Sequence, residues 1–496
     1  MIRTAPLIAL LCGVLVLPAC LRYDDDPPAS PESGEAGISE AASQVGSSAA
    51  GSDAFDDLEV GDDATGPEID DRTMPERYAD SLADFGFGAE DCGALEPLDM
   101  TVRYPLCDFD VTHRRGTRDI LPSCGPVGGP AAAPRHVHIA YGSHRADRDV
   151  SFNWMSGIEN RQAIVEIGTD PDNLDMRFFG YTFHYAGITR EGQQHRVVNE
   201  VYVCGLEPAT TYYYRAGADG AWSDVYSFTT ALPVGDDTEY RFAVTGDTRH
   251  DTNEPWNQAL GMIHEFAPDF HLFSGDAVDQ GPSQPQWDSW FAAAEPYLAE
   301  QFFMPANGNH ELMALNYTAQ FALPGDEENY YFRYGNGLFI LVNDLSFTDL
   351  TSVTGTVRRF LEETLEAHQD ATWKVVVHHR PIYSASTRHG SARDLQDAWI
   401  PIYDRYGVDL VFNGHDHNYE RTRPMRNNQV VAPGDGTTYV VAAGIGAPLY
   451  DNGQEFWTAY SERTSSFVIV DVRQNELELT AYRLDGTVLD RTTLRK

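Results

Sequence analysis

The sequence predicts a multidomain α+β and α/β protein in which a β-sandwich precedes a layered α/β domain. Three observations carry this. From Pro134 to about Ala231, short alternating runs ("HVHIAY", "VSFNWM", "AIVEIG", "HRVVNEVYVCGL", "TYYYRAG", "VYSFTT") are separated by Gly, Asp and Asn turns. That is the rhythm of an antiparallel sandwich. From Glu239 onward, apolar strands such as "YRFAVTGD", "DFHLFSGD" and "WKVVVHHRP" alternate with amphipathic helices such as "PWNQALGMIHEFAP" and "TVRRFLEETLEAH". Strand-then-helix repetition means a layered α/β domain. Third, several of these strands end in a Gly-containing turn that bears a carboxylate, an amide or an imidazole.

At 496 residues the chain is too long for one ordinary domain. Residues 1–19 read as an export signal: Arg3 supplies the positive charge, and Leu7 to Leu17 is an apolar stretch too short to span a bilayer. It ends in Leu17-Pro18-Ala19-Cys20, which resembles a bacterial lipobox and makes Cys20 the expected lipidation site. The alternative is a plain secretory signal with a chance Cys. No later apolar run is long enough to be a transmembrane helix, so the expected membrane contact is through a lipid anchor alone, on an exported protein in the periplasm or at the cell surface. Residues 20–75 are rich in Ser, Gly, Ala, Asp and Pro. They cannot bury enough apolar surface to fold and read as a disordered acidic tether. Residues 76–133 form an irregular segment with three Cys. The sandwich is expected over 134–232 and the α/β domain over 233–496.

With Cys12 lost in the signal and Cys20 lipidated, Cys92, Cys107, Cys124 and Cys204 remain. In an oxidising compartment they predict two disulfides, with three pairings open. The net charge of −40 argues against nucleic acid as a partner, because a phosphate backbone needs basic surface. Oligomeric state is left open.

The chemistry lies at the strand ends. "AVTGD" delivers Asp247, "LFSGD" Asp276, "MPANGNH" Asn309 and His310, "KVVVHH" His378 and His379, and "LVFNGHDH" His415 and His417. Sites in open α/β sheets gather at the carboxyl ends of strands, so these side chains are expected on one edge. A single Gly-Asp after a strand is usually only a turn. Two carboxylates, an Asn amide and three His from five strand ends are a donor set suited to hard or borderline divalent ions.

The order Gly-Asp, Gly-Asp, Gly-Asn-His-Glu, Val-x-x-His, Gly-His-x-His resembles that of the purple acid phosphatases, within the calcineurin-like metallophosphoesterases. "LEPATTYYYRAG", "HRPIYS", "GHDHNYER" and "AAGIGAPLY" agree. Leu206-x-Pro208-x-Thr210-x-Tyr212 also resembles the tyrosine corner of fibronectin type III domains. The resemblance implies a four-layer α/β/β/α catalytic domain behind a fibronectin III-like sandwich, and a metal-dependent phosphoric ester hydrolase acting on a small phosphorylated substrate. Asp247, Asp276 and His417 would hold a first metal. Asp276, Asn309, His379 and His415 would hold a second, with His378 the runner-up to His379. Asn309 and His310 would contact phosphate, His310 would protonate the leaving oxygen, and His389 would touch substrate. Two divalent ions neutralise an anionic ester and lower the pKa of a bridging water.

Two positions depart from the family. Asp279 stands where the colour-giving Tyr belongs, and Arg249 where other metallophosphoesterases carry a His ligand. Arg has no lone pair to give a metal, which leaves the first ion one donor short. Asp279 reaches that ion directly or through a water, or the ion holds an extra water. A carboxylate there favours Mn or Fe(II), with Zn possible. Arg249 is either an ion-pair partner of Asp276 or Asp279, or a phosphate contact. Three functions follow: a phosphomonoesterase, a phosphodiesterase on nucleotides or lipid head groups, or a surface binding protein with a degraded metal site.

Overall fold

A computed structural model describes residues 101–496 except 105, 113–118, 123–132, 158–161, 190–191, 250–252, 313 and 346–352. The signal, Cys20, the tether, Cys92 and Cys124 lie outside the described residues. Among the described residues, no helix is long and apolar enough to cross a membrane.

Two sheets face each other in the catalytic half. One runs through Val488–Arg495, Glu476–Arg483, Ser466–Arg473, Tyr240–Thr245, Phe270–Phe273 and Phe302–Pro305. The other has seven strands: Tyr330–Tyr334, Gly337–Leu341, Trp373–Val377, Leu410–Asn413, Thr438–Ala442, Tyr419–Thr422 and Thr458–Glu462. Period-two alternation sorts their side chains. Val375 and Val377 join Phe242, Phe270 and Phe412 in the core between the sheets. Val376 and Val411 face the other way, against Leu361, Leu365, Leu395 and Trp399 from the helices Thr356–Ala367 and Arg393–Tyr406. On the opposite side, Trp256, Leu260 and Ile263 of the helix Glu254–Glu265 and Trp287 and Trp290 of Gln284–Ala294 are buried against the first sheet. The result is the expected order of helices, sheet, sheet, helices.

The first sheet does not stop at the domain boundary. Phe302–Pro305 pairs in parallel with Arg135–Tyr141 through Phe302 and Ile139. The sheet then continues through Val150–Ser156, Gly192–Val203, Tyr181–Thr189 and Asp119–Pro122, giving eleven strands. A second sheet of Ala221–Trp222, Thr211–Ala218, Ile164–Gly168, Met176–Phe179 and Tyr226–Thr229 completes the sandwich. Tyr141 stacks on Phe302 at 4.2 Å, and Phe228 meets Phe302 at 5.5 Å, so one aromatic cluster spans the junction. Tyr212 folds back on its own loop, its hydroxyl accepting the Glu207 N–H at 3.1 Å. Cys107 and Cys204 form a disulfide across 97 residues, tying the segment ahead of the sandwich to the residue that follows its long strand Gly192–Val203.

Candidate metal centre

The parallel strands that enter the site end in tight turns. Asp247, Asp276 and His415 adopt positive φ of 54°, 59° and 70°. L-residues rarely sit there, and such strain clusters at functional sites. The glycine in two of the turns is required by close approach. A Cβ on Gly308 would collide with the backbone and carboxylate of Asp276, and one on Gly414 with the carboxylate of Asp247.

These turns bring the donors together. Ligand atoms of Asp247, Asp276 and His417, all buried, lie within 4.8 Å of one another. His417 Nε2 is 3.3 Å from Asp247 Oδ1, and His379 Nε2 is 3.4 Å from Asp276 Oδ2. Asn309 Oδ1 is 2.9 Å from both His379 Nε2 and His415 Nδ1. The His415 N–H donates to both oxygens of Asp247, and the His310 N–H to Asp276 Oδ1.

The donor set fits a pair of divalent cations. His379 Nδ1 lies 2.8 Å from the Ser274 carbonyl and His417 Nδ1 2.6 Å from that of Pro448. A carbonyl only accepts, so each Nδ1 carries the proton and each Nε2 is turned on the carboxylates, as a metal-ligating imidazole requires. The field there calls for positive charge. Burial pulls His379 down, yet Asp276 and then Asp247 push it up to about 10. Burial also works to raise Asp276, but His379, His310 and Arg249 hold it well below the usual carboxylate range. His415 is held well below its ordinary value by burial, then by His379 and His389, and stays neutral.

The other expected residues are placed as follows. His378 faces away from the cluster. Its Nδ1 is 3.2 Å from Asp344 Oδ2, and its ring meets Trp399 edge-on at 5.0 Å. His310 Nδ1 is 2.7 Å from the Asp279 carbonyl, which leaves Nε2 3.9 Å from Asp276 Oδ2. The His389 ring stands 4.2 Å from that of His415. Asp279 is outside the cluster: its half-exposed carboxylate accepts from Arg249 Nη1 at 2.9 Å. The rest of the Arg249 guanidinium lies inside the cluster, with Nε 3.8 Å from Asp276 Oδ2 and Nη2 3.5 Å from His417 Nε2. Burial would lower its pKa, but Asp276, Asp247, Tyr450 and Asp279 raise it, so the charge is permanent.

Residue-by-residue reading of the sequence passed over Glu311 and Tyr450. Glu311 is buried and accepts the N–H groups of Asp276 at 2.9 Å, Ala277 at 2.8 Å and Gly308 at 2.7 Å. It ties two ligand turns together, and burial, with Asp276 beside it, pushes its carboxyl up to about 7. Its signal was its place at the end of Gly-Asn-His-Glu. Tyr450 stacks on His417 at 4.2 Å, and the Tyr450 N–H donates to the His417 carbonyl. Only the "GIGAPLY" word pointed to it.

A two-sheet layered domain with paired carboxylates, an Asn and three histidines at its strand ends defines a binuclear metallophosphoesterase, a fold that uses two divalent metals. Residues 240–419 match the calcineurin-like phosphoesterase family, and residues 134–230 match the purple acid phosphatase N-terminal domain. The chain therefore carries the two-domain organisation of the purple acid phosphatases. Acid phosphatase type 7 of Homo sapiens is 29% identical over 342 residues, covering 62% of this chain and 74% of that protein. Purple acid phosphatase 15 of Arabidopsis thaliana is 29% identical over 394 residues, 67% of this chain and 71% of that protein. Among solved structures, the purple acid phosphatase PPD1 from yellow lupin seeds shares the fold with a TM-score of 0.66 at 21% identity, over 73% of this chain and 74% of that one.

Proposed function

We propose that this protein hydrolyses phosphate monoesters outside the cytoplasm, tethered through Cys20. The observation that carries the reading is the convergence of Asp276 Oδ2, Asn309 Oδ1, His379 Nε2 and His415 Nδ1 beside the Asp247–Asp276–His417 cluster. Asp247, Asp276 and His417 would hold the first ion, and Asp276, Asn309, His379 and His415 the second. When bound, the two ions neutralise the anionic ester and activate water for in-line attack. The residues of the chain do the rest. Glu311 fixes the Asp276 turn, and the Ser274 and Pro448 carbonyls aim the histidines. The Asp279 carbonyl holds the His310 Nδ1–H, so His310 Nε2 is the atom positioned to hand a proton to the leaving oxygen. Arg249, charged and largely buried, presents a planar donor set suited to a phosphate oxygen, with Asp279 holding it in place.

The test compares p-nitrophenyl phosphate with bis-p-nitrophenyl phosphate, with and without chelator. Turnover of the monoester that disappears with chelator supports the proposal. Preference for the diester makes the protein a phosphodiesterase. Metal-dependent turnover of neither makes it a binding protein.

A further inference from the structure

Asp416 separates His415 and His417 in sequence, and its side chain leaves the metal centre altogether. It is fully buried. Asp416 Oδ2 accepts from Ser384 Oγ at 2.6 Å and from the Gly390 N–H at 3.1 Å, the two ends of one loop. The neighbouring buried carboxylate, Glu420, holds the same loop at a second point: its Oε2 accepts the Ala385 N–H at 2.6 Å. Glu420 Oε1 is in turn braced by Thr458 Oγ1 at 2.8 Å and Trp457 Nε1 at 3.2 Å. The loop closes on itself through Ser391 Oγ, which accepts the Ser384 N–H at 3.0 Å.

At its crest the loop carries Arg388 and His389. The His389 ring is 4.2 Å from that of His415 and 5.6 Å from that of Tyr450, and the Arg388 guanidinium lies over the Tyr450 ring at 5.9 Å. One short stretch, Gly414 to Glu420, thus does two things. Alternate residues His415 and His417 supply donors, while Asp416 and Glu420 point away and grip the loop that roofs those donors. Burying a carboxylate oxygen is costly unless it is hydrogen-bonded; the loop supplies the bonds to Asp416 Oδ2 and Glu420 Oε2, and Thr458 and Trp457 those to Glu420 Oε1.

We propose that Asp416 is a positioning residue, supported by Glu420, which fixes the Ser384–Ser391 loop so that His389 stands over His415 and meets the substrate phosphate or its leaving group. The proposal rests on the phosphoesterase reading for its substrate and on geometry alone for the clamp. Charge-assisted hydrogen bonds to a buried carboxylate hold a loop far more firmly than a polar surface turn does.

The experiment is a double-mutant cycle on the metal-loaded full chain, with p-nitrophenyl phosphate as substrate. Asp416→Ala and Ser384→Ala are expected to raise KM about tenfold with much smaller change in kcat, as His389→Ala does. Asp416→Asn keeps an acceptor oxygen and is expected to restore KM. Asp416→Ala combined with His389→Ala is expected to be no worse than His389→Ala alone, because both remove the same contact. Metal content is expected to stay at the wild-type level throughout. Additive losses, or a wild-type KM in both Asp416→Ala and Ser384→Ala, overturn the proposal. Should the wild type turn over neither ester, the substrate reading fails and amide hydrogen exchange at Gly390 judges the clamp. Exchange that speeds up in Asp416→Ala but not in Asp416→Asn supports it, and exchange unchanged in both overturns it.

Discussion

The two halves of the metal centre are built differently. On the side proposed for the second ion, Asn309, His379 and His415 are neutral or neutralisable donors aimed at one point, and Asn309 Oδ1 touches both imidazoles at 2.9 Å. On the side proposed for the first ion, Asp247 and His417 share their space with the Arg249 guanidinium, 3.5 Å from His417 Nε2 and paired to Asp279. A fixed cation stands among the carboxylate and imidazole donors. Two like charges a few ångströms apart repel by a few kcal/mol in a partly buried site. An ion held by Asp247, Asp276 and His417 would therefore meet a repulsion from that guanidinium.

The largest effect expected of any change is on the second-metal side. Asn309→Ala or His379→Ala should lower kcat/KM by on the order of 10³-fold, since several kcal/mol of transition-state stabilisation passes through that ion. Metal analysis of each variant should show one ion fewer per chain. If either variant keeps full metal content and activity, the comparison between the halves is broken.

Acid stability separates the site from the scaffold around it. His271 is lowered to about 3 by burial. It is neutral when folded and titrates near 6.5 when unfolded, so the unfolded chain binds more protons below that pH. The stability it contributes is complete above pH 6.5 and is lost as pH falls toward 3, about 2 kcal/mol at pH 5. Melting temperature should fall accordingly, and His271→Gln should flatten the fall. A melting temperature that does not change between pH 7 and pH 5 contradicts this.

Arg249→Ala should tighten retention of the first ion by on the order of tenfold in a chelator titration, because a neighbouring positive charge is gone. Arg249→His, which restores a donor, should tighten it further. Weaker retention in Arg249→Ala would show that the guanidinium supports the ion instead of opposing it. Asp279→Ala should cost only a few-fold in kcat/KM, the scale of a half-exposed ion pair. Loss of one metal ion in that variant would make Asp279 a ligand after all. The smallest expected signal is colour: with Asp279 in the tyrosine slot, the iron-loaded protein should show no visible charge-transfer band.

Much of this centre was legible because its requirements are local. A ligand at a strand end needs a glycine beside it where another turn passes within contact distance, and Gly308 and Gly414 meet that need through sterics alone. The Arg249 and Asp279 departures were equally plain in sequence, but their partners were not. An ion pair between residues 249 and 279 depends on how two turns are brought together, and periodicity carries nothing about that. Glu311 and Asp416 were hidden for a related reason. Both lie inside ligand motifs, and they act through backbone N–H groups, which every sequence has, and in Asp416 also through the hydroxyl of a distant serine. The continuous eleven-stranded sheet was invisible too, because its crossing rests on a single pairing, Phe302 with Ile139.

Sequence by itself determined the order of sandwich and layered domain, the donor set and the strand ends that bear it, since hydrophobic period and tight-turn sterics are written in neighbouring residues. Tertiary structure alone decided which donors share a face with the Arg249 cation, that the Asp279 carboxylate answers Arg249, and that Asp416 turns away from the metals to hold the His389 loop. Those outcomes depend on distances between segments far apart in the chain, which are set only when both sheets have packed.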